Sequence, residues 1–122
     1  MVVYDACDII DLHTNIAYLL FVKYIKFCKS NRKERIKILT EFINTLNNTE
    51  KKMVDELMNK VEYNTVDDLY KGIVNCISIL DENMLAGYKD DVKTVFIQII
   101  ALMILVMVEE EHVNIDEIKM TG

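Results

Sequence analysis

The longest unbroken run of apolar positions in the chain, Val95 to Val108 (VFIQIIALMILVMV), is apolar on every face but for Gln98. At ~1.5 Å of rise per residue, a helix of that length reaches about 21 Å, short of the roughly 30 Å hydrocarbon slab of a bilayer. The run therefore predicts a buried central helix and no membrane span. Elsewhere the apolar positions recur three and four apart, the spacing of amphipathic helices. A first segment from about Asp8 to Lys29 carries Ile9, Leu12, Ile16, Leu19, Leu20 and Phe27. After a break at Ser30-Asn31, a second carries Ile36, Leu39, Ile43 and Leu46. Asn47-Asn48-Thr49 supplies cap residues for a third, with Met53, Val54, Leu57, Met58 and Val61.

Asn64-Thr65 opens a fourth helix, where Thr65 and Asp68 have the spacing of a capping box and Val66, Leu69, Ile73, Cys76, Ile77 and Leu80 form the inward stripe. A turn around Ala86-Gly87 follows. Asp90 and Asp91 then suit the positive end of a fifth helix, and Glu109, Glu110 and Glu111 oppose its dipole and favour its end. Asn114 to Glu117 is expected to form a short capped turn or a frayed tail.

Composition narrows the fold class. There is no Pro and there are only three Gly, so the tight hairpin turns that depend on positive φ are hard to supply. With 122 residues, 52% of them hydrophobic, the chain has the makings of one core and is not disordered. The expectation is a single all-α domain over residues 1–122: a compact bundle of five to six helices with Val92 to Val108 at its centre. Abundant Asn, Ile and Lys match A/T-rich coding sequence, as in many viruses, low-GC bacteria and protists.

Charge is uneven. Lys23, Lys26, Lys29, Arg32, Lys33, Arg35 and Lys37 against Glu34 alone put +6 on the first interhelical corner of a chain whose net charge is −6, which leaves −12 on the remainder. Within that corner Lys26, Lys29, Arg32, Lys33 and Arg35 are the candidate contact residues for an acidic protein. Most of the surface would repel phosphate, so nucleic acid is not an expected partner. The simplest reading of the corner is a solvated helix end whose cations favour the first helix's negative C-terminus. Asp5, Asp8 and Asp11 interrupt any apolar leader, so secretion is not expected. Cys7, Cys28 and Cys76 lack paired metal spacing and read as free thiols in a reducing cytoplasm. The sequon at Asn47 to Thr49 is then a loop and not a glycosylation site.

Catalytic patterns are missing. The glycines cannot form a phosphate-binding loop, and Ser30 and Ser78 lie in no nucleophile elbow. Glu109 and His112 make one ExxH, but a di-iron bundle needs a second and two further inward Glu. His13 with Cys7 lacks an orienting third group. No catalytic residue, metal ligand or cofactor is expected, and a non-enzymatic role follows. The apolar surplus and seven Met point instead to an adaptable binding surface. Met53, Leu57, Met58, Leu69, Ile73, Met84 and Tyr88 are the candidate contacts for a partner protein, such as an amphipathic helix anchored at i, i+3, i+4 and i+7.

The segment Thr65 to Ile104 (TVDDLYKGIVNCISILDENMLAGYKDDVKTVFIQIIALMI) resembles the later helices of the poxviral Bcl-2-like proteins. The likeness lies in an acidic start, the Ile-Val-Asn-Cys-Ile run, an aromatic turn residue at Tyr88, and a following apolar helix with Phe96. Tyr24-Ile25 on a long first helix before a Lys/Arg-rich corner is compatible with it. The chain lacks the Trp and the Gly-Arg pair that mark cellular apoptosis regulators, so no groove residue is carried over. The resemblance implies an intracellular factor in the host cytoplasm, a homodimer that blocks host apoptosis or innate immune signalling by binding host proteins. Two other classes compete. One is an acidic helical inhibitor of a defence nuclease from a virus or low-GC microbe, its carboxylates at Glu109 to Glu111 and Asp116-Glu117 imitating nucleic acid. The other is a small helical enzyme or metal bundle.

Overall fold

The computed structural model describes the backbone of residues 6–86, 89–114, 116 and 118, and side chains over 18–80, 92–114, 116 and 118. Five helices account for most of it: α1 (Ala6–Lys29), α2 (Arg32–Ile43), α3 (Asn48–Lys60), α4 (Val66–Ala86) and α5 (Lys89–Glu111). Among the described residues there is no strand.

The helix starts follow from local hydrogen bonding. Asn31 in extended backbone accepts the Glu34 N–H and begins α2. Asn47 begins α3 with a full capping box: its Oδ1 accepts the Glu50 N–H at 2.8 Å, and the Glu50 carboxylate accepts the Asn47 N–H at 2.8 Å. At α4, Asp68 Oδ2 collects the N–H groups of Asn64 and Thr65 at 3.0 and 3.2 Å. These two bonds hold the Asp68 carboxyl below its usual pKa. The end of α5 turns on His112, a non-glycine residue at φ 52°, after which the Val113 N–H bonds back to the Met107 carbonyl.

Helix α5 is the axis of the molecule. It packs most extensively against α4, then α3 and α2, while α1 lies on α4 and α2. Every residue from Ile99 to Met107 is buried, so that stretch is enclosed on all sides. The length argument against a membrane span fails once the whole helix is counted. The window Val92–Glu111 is long and apolar enough to cross a membrane by length and composition. What places its middle in a protein interior is its coverage by α2, α3 and α4. The segment after α5 returns to the core, since Val113 and Ile118 are both buried.

Two stripes expected to face inward do so over most of their length: Leu39, Ile43 and Leu46 in and after α2, and Leu69, Ile73, Cys76, Ile77 and Leu80 on α4, are buried, while Ile36 and Val66 at their starts are half-buried. On α3 only Val54 is fully enclosed, and Met53, Leu57, Met58 and Val61 are half-buried against the core. Helix α1 departs from expectation. Phe27 is completely buried, but Leu19 stands 59% exposed. The α4 and α2 contacts use the line of Leu20, Tyr24, Phe27 and Cys28, which leaves the other side of α1 between Tyr18 and Lys29 in solvent, while the side chains of Ile9, Leu12 and Ile16 lie outside the described residues.

Candidate functional site

The segment Tyr18-Leu19-Leu20-Phe21-Val22 holds five consecutive apolar residues, more than one inward stripe of a helix can use. Leu20 takes the core side. Tyr18, Leu19, Phe21, Val22 and Ile25 stay exposed, between 36% and 65%. Val74 on α4, also exposed, lies at the edge of a shallow groove of about 250 Å³ that Tyr24 and Tyr70 share. Tyr18, Val22 and Ile25 are spaced i, i+4 and i+7, the pattern of a helix that meets another helix. Lys26 and Lys29 follow at the C-terminal end of the same helix, both exposed.

The basic corner is less uniform than its sequence suggests. Lys26, Lys29, Arg32 and Lys33 are exposed, as a solvated corner requires. Arg35 is not part of it, being only 7% exposed. Position 35 falls three and four residues before Ile38 and Leu39, on the inward side of α2, and that spacing was the signal in the sequence. Its guanidinium donates to the carbonyls of Cys28 (3.1 Å) and Ser30 (3.2 Å), acceptors left over where α1 ends. It also donates to Glu110 Oε2 at 2.9 Å, lies 3.7 Å from Glu111, and sits 5.0 Å from the centre of the Phe27 ring.

This cluster also absorbs the carboxylates at the end of α5. The Tyr70 hydroxyl donates to Glu110 at 2.7 Å and the Tyr63 hydroxyl to Glu109 at 2.6 Å. Burial and the bond to Glu110 push the Tyr70 phenol up to about 12, against the pull of Arg35. Burial also raises Tyr24, helped by its neighbour Cys28. Burial works against the charge on Arg35, but the bond to Glu110 and the charges of Tyr70 and Glu110 together outweigh that and leave it raised. Glu109 to Glu111 therefore each have a partner within the fold, although Glu109 and Glu110 remain at the surface. Glu109 and His112 do not form an ExxH face either, because the helix ends between them and His112 is exposed beyond it.

The other predicted contacts scatter. Leu69 and Ile73 are fully buried against α5 and cannot meet a partner. Their i, i+4 spacing serves the core, so they are removed from the candidate site. Met53, Leu57 and Met58 remain half-buried on α3, with Leu57 at the rim of a pocket of about 250 Å³ that also touches Cys76, Gln98 and Leu102. The Met84 side chain and Tyr88 lie outside the described residues, as do the side chains of Cys7 and His13. Cys28 and Cys76 are free thiols, and burial pushes Cys76 up.

A further apolar pocket of about 330 Å³ opens where α1, α2, α4 and α5 approach one another. Leu20, Phe42, Leu80, Val92 and Phe96 line it, with Phe42 and Phe96 edge to face at 5.5 Å. Lys93 stands at its rim, 3.6 Å from Glu50. The space suits one or two anchoring side chains. Among the described residues no three His, Cys, Asp or Glu side chains are grouped as a metal set. Comparison with known protein families, curated proteins and solved structures finds no match.

Proposed function

We propose that this chain is a non-enzymatic protein-interaction module that works through the open side of α1. One observation carries this reading: Tyr18, Leu19, Phe21, Val22 and Ile25 stay in water although the bundle has completed its core without them. Contiguous exposed apolar area of this kind is costly for a chain that acts alone, and marks a surface meant to be covered. The basic end at Lys26, Lys29, Arg32 and Lys33 adds an electrostatic component that favours acidic partners. The pocket beside Phe42 and Phe96 offers a second, smaller anchor point for an amphipathic helix. In this reading the module acts in the host cytoplasm as a homodimeric inhibitor of apoptosis or innate immune signalling, which is what the resemblance of Thr65 to Ile104 to the poxviral Bcl-2-like proteins implies. The nucleic-acid-mimic alternative loses its main support, because Glu109, Glu110 and Glu111 already have partners in the fold.

The test is affinity purification of the tagged chain from host-cell lysate at low and high salt, beside a Val22→Asp variant. Apoptosis or immune-signalling proteins retained at high salt by the wild type and lost by V22D are the expected result. Loss of all partners at high salt from the wild type would return the reading to charge mimicry.

A further inference from the structure

Gln98 is the one polar residue in the apolar run Val95 to Val108, and its chain neighbours Ile97 and Ile99 are both buried. A carboxamide in such a helix is costly unless its polar groups are hydrogen-bonded. Its oxygen accepts the Cys76 thiol, a weak donor, with Sγ at 3.7 Å from Oε1. Its NH2 group has no acceptor among the described residues. Gln98 lines the pocket of about 250 Å³ between α3, α4 and α5, where Leu57, Val61, Ala101 and Leu102 supply apolar walls. Lys60, exposed in the last turn of α3, also lines it and has no carboxylate within ion-pair distance among the described residues.

We propose that this pocket is a binding site for a small carboxylic acid, held as its anion with an apolar body of roughly six to eight carbons. The walls take the body, the Gln98 NH2 donates to one carboxylate oxygen, and the Lys60 ammonium on its flexible stem supplies the countercharge. A charge-assisted bond of this kind is the strong class of hydrogen bond. An amine would find no carboxylate in the described lining, and a purely apolar guest would leave the Gln98 donors unmet.

Water is a poor filling for the same space. An ordered water needs two to four polar partners, and here most of the wall can offer none. Such water is readily displaced by an apolar group. The size sets the class of guest: an apolar cavity of ~150 Å³ holds a benzene ring, and sites for drug-sized ligands begin near ~300 Å³. A pocket of about 250 Å³ therefore suits a molecule between the two. Its described lining comes from α3 with its C-cap Val61, from α4 and from α5, with no residue of α1, so the proposal stands or falls apart from the protein-binding face.

The experiment is calorimetric titration of the full chain with octanoate and with octan-1-ol, its uncharged match, for wild type, Gln98→Leu, Lys60→Glu and Leu57→Trp. Circular dichroism checks that each variant retains its helices. The expected result is one saturable octanoate site in the wild type, in the micromolar-to-millimolar range open to ligands of about ten heavy atoms, and about tenfold tighter than for octanol. Q98L and K60E should each weaken octanoate about tenfold, and L57W should abolish binding by filling the space. Lys60 is exposed, so K60E keeps the fold and carries the test by itself where the other variants lose their helices. Octanoate should also slow alkylation of Cys76 several-fold, read on its own proteolytic fragment, and leave Cys28 unchanged. A wild type without saturable octanoate binding overturns the proposal. Octanol bound as tightly as octanoate overturns the assigned ligand class, and octanoate binding indifferent to K60E, or without protection of Cys76, overturns the assigned site.

Discussion

Arg35 of α2 and Glu110 at the end of α5 are joined by a 2.9 Å hydrogen-bonded ion pair, although 75 residues separate them in the chain. The same guanidinium ties down the last carbonyls of α1 and stacks on Phe27, so one side chain connects three helices. It also resolves a conflict in the sequence. Glu109 to Glu111 oppose the dipole of α5, and a buried cation across from them offsets that repulsion.

Arg35→Ala leaves Glu110 with the Tyr70 hydroxyl but no cation, and takes the guanidinium donor from the carbonyls of Cys28 and Ser30, in a part-buried site. A loss of about 3 kcal/mol is expected in urea unfolding, toward the low end for a broken buried pair because Glu110 is partly exposed. Arg35→Lys should recover less than half of it, since an ammonium cannot span three diverging acceptors. Full rescue by lysine would mean that only the charge matters.

Much of the fold is legible in the sequence, because helix starts are encoded by short-range hydrogen bonds. Asn47 and Asp68 stand where a cap was expected, and Asn31 caps α2 at the expected break. Tertiary choices were less visible. Leu19 and Leu20 are equally apolar, and only the angle at which α1 meets α4 sends Leu20 inward and leaves Leu19 out. Leu69 and Ile73 carry the same spacing whether they face a partner or α5. Arg35 was hidden among six other cations, although its distance from Ile38 and Leu39 set it apart.

Alkaline pH should destabilise the fold through the half-buried tyrosines. Tyr70 holds its proton to about 12 in the folded state, whereas an unfolded tyrosine releases it near pH 10. The folded chain thus binds more protons in that interval, and stability falls as pH rises through it. Below about pH 10 this contribution is fully present. Urea midpoints followed from neutral pH to about pH 12 should decline in the upper range. Tyr70→Phe should lessen the slope without abolishing it, because Tyr24 is raised as well. Parallel curves for Y70F and wild type would contradict this assignment.

The capping box at α3 gives a local test. Asn47→Ala removes the acceptor for the Glu50 N–H, and a cost of about 1 kcal/mol is expected. Glu50→Ala should cost more, because its carboxylate bonds the Asn47 N–H and also lies 3.6 Å from Lys93 on α5. Lys93→Ala alone should lose only a few tenths of a kcal/mol, its ammonium being well exposed. In a double-mutant cycle the N47A and E50A effects should fall short of additivity, since each breaks the same reciprocal cap.

Gly72 lies inside α4, where a glycine costs a helix ~1 kcal/mol relative to alanine. A Cβ built there would stand 3.2 Å from a terminal methyl of Leu102 on α5, closer than an ordinary contact. The sign of Gly72→Ala depends on whether that methyl can withdraw. Leu102 borders the pocket shared with Leu57, Val61 and Gln98, so there is free space to receive it. The substitution should therefore stabilise the protein, by roughly 0.5 kcal/mol once the displacement is offset against the helix gain. Gly72→Leu, which needs far more room at the α4 and α5 contact, should destabilise by about 2 kcal/mol. A G72A variant less stable than wild type would mean that Leu102 is held in place by its neighbours, and that the close approach of α4 to α5 requires glycine.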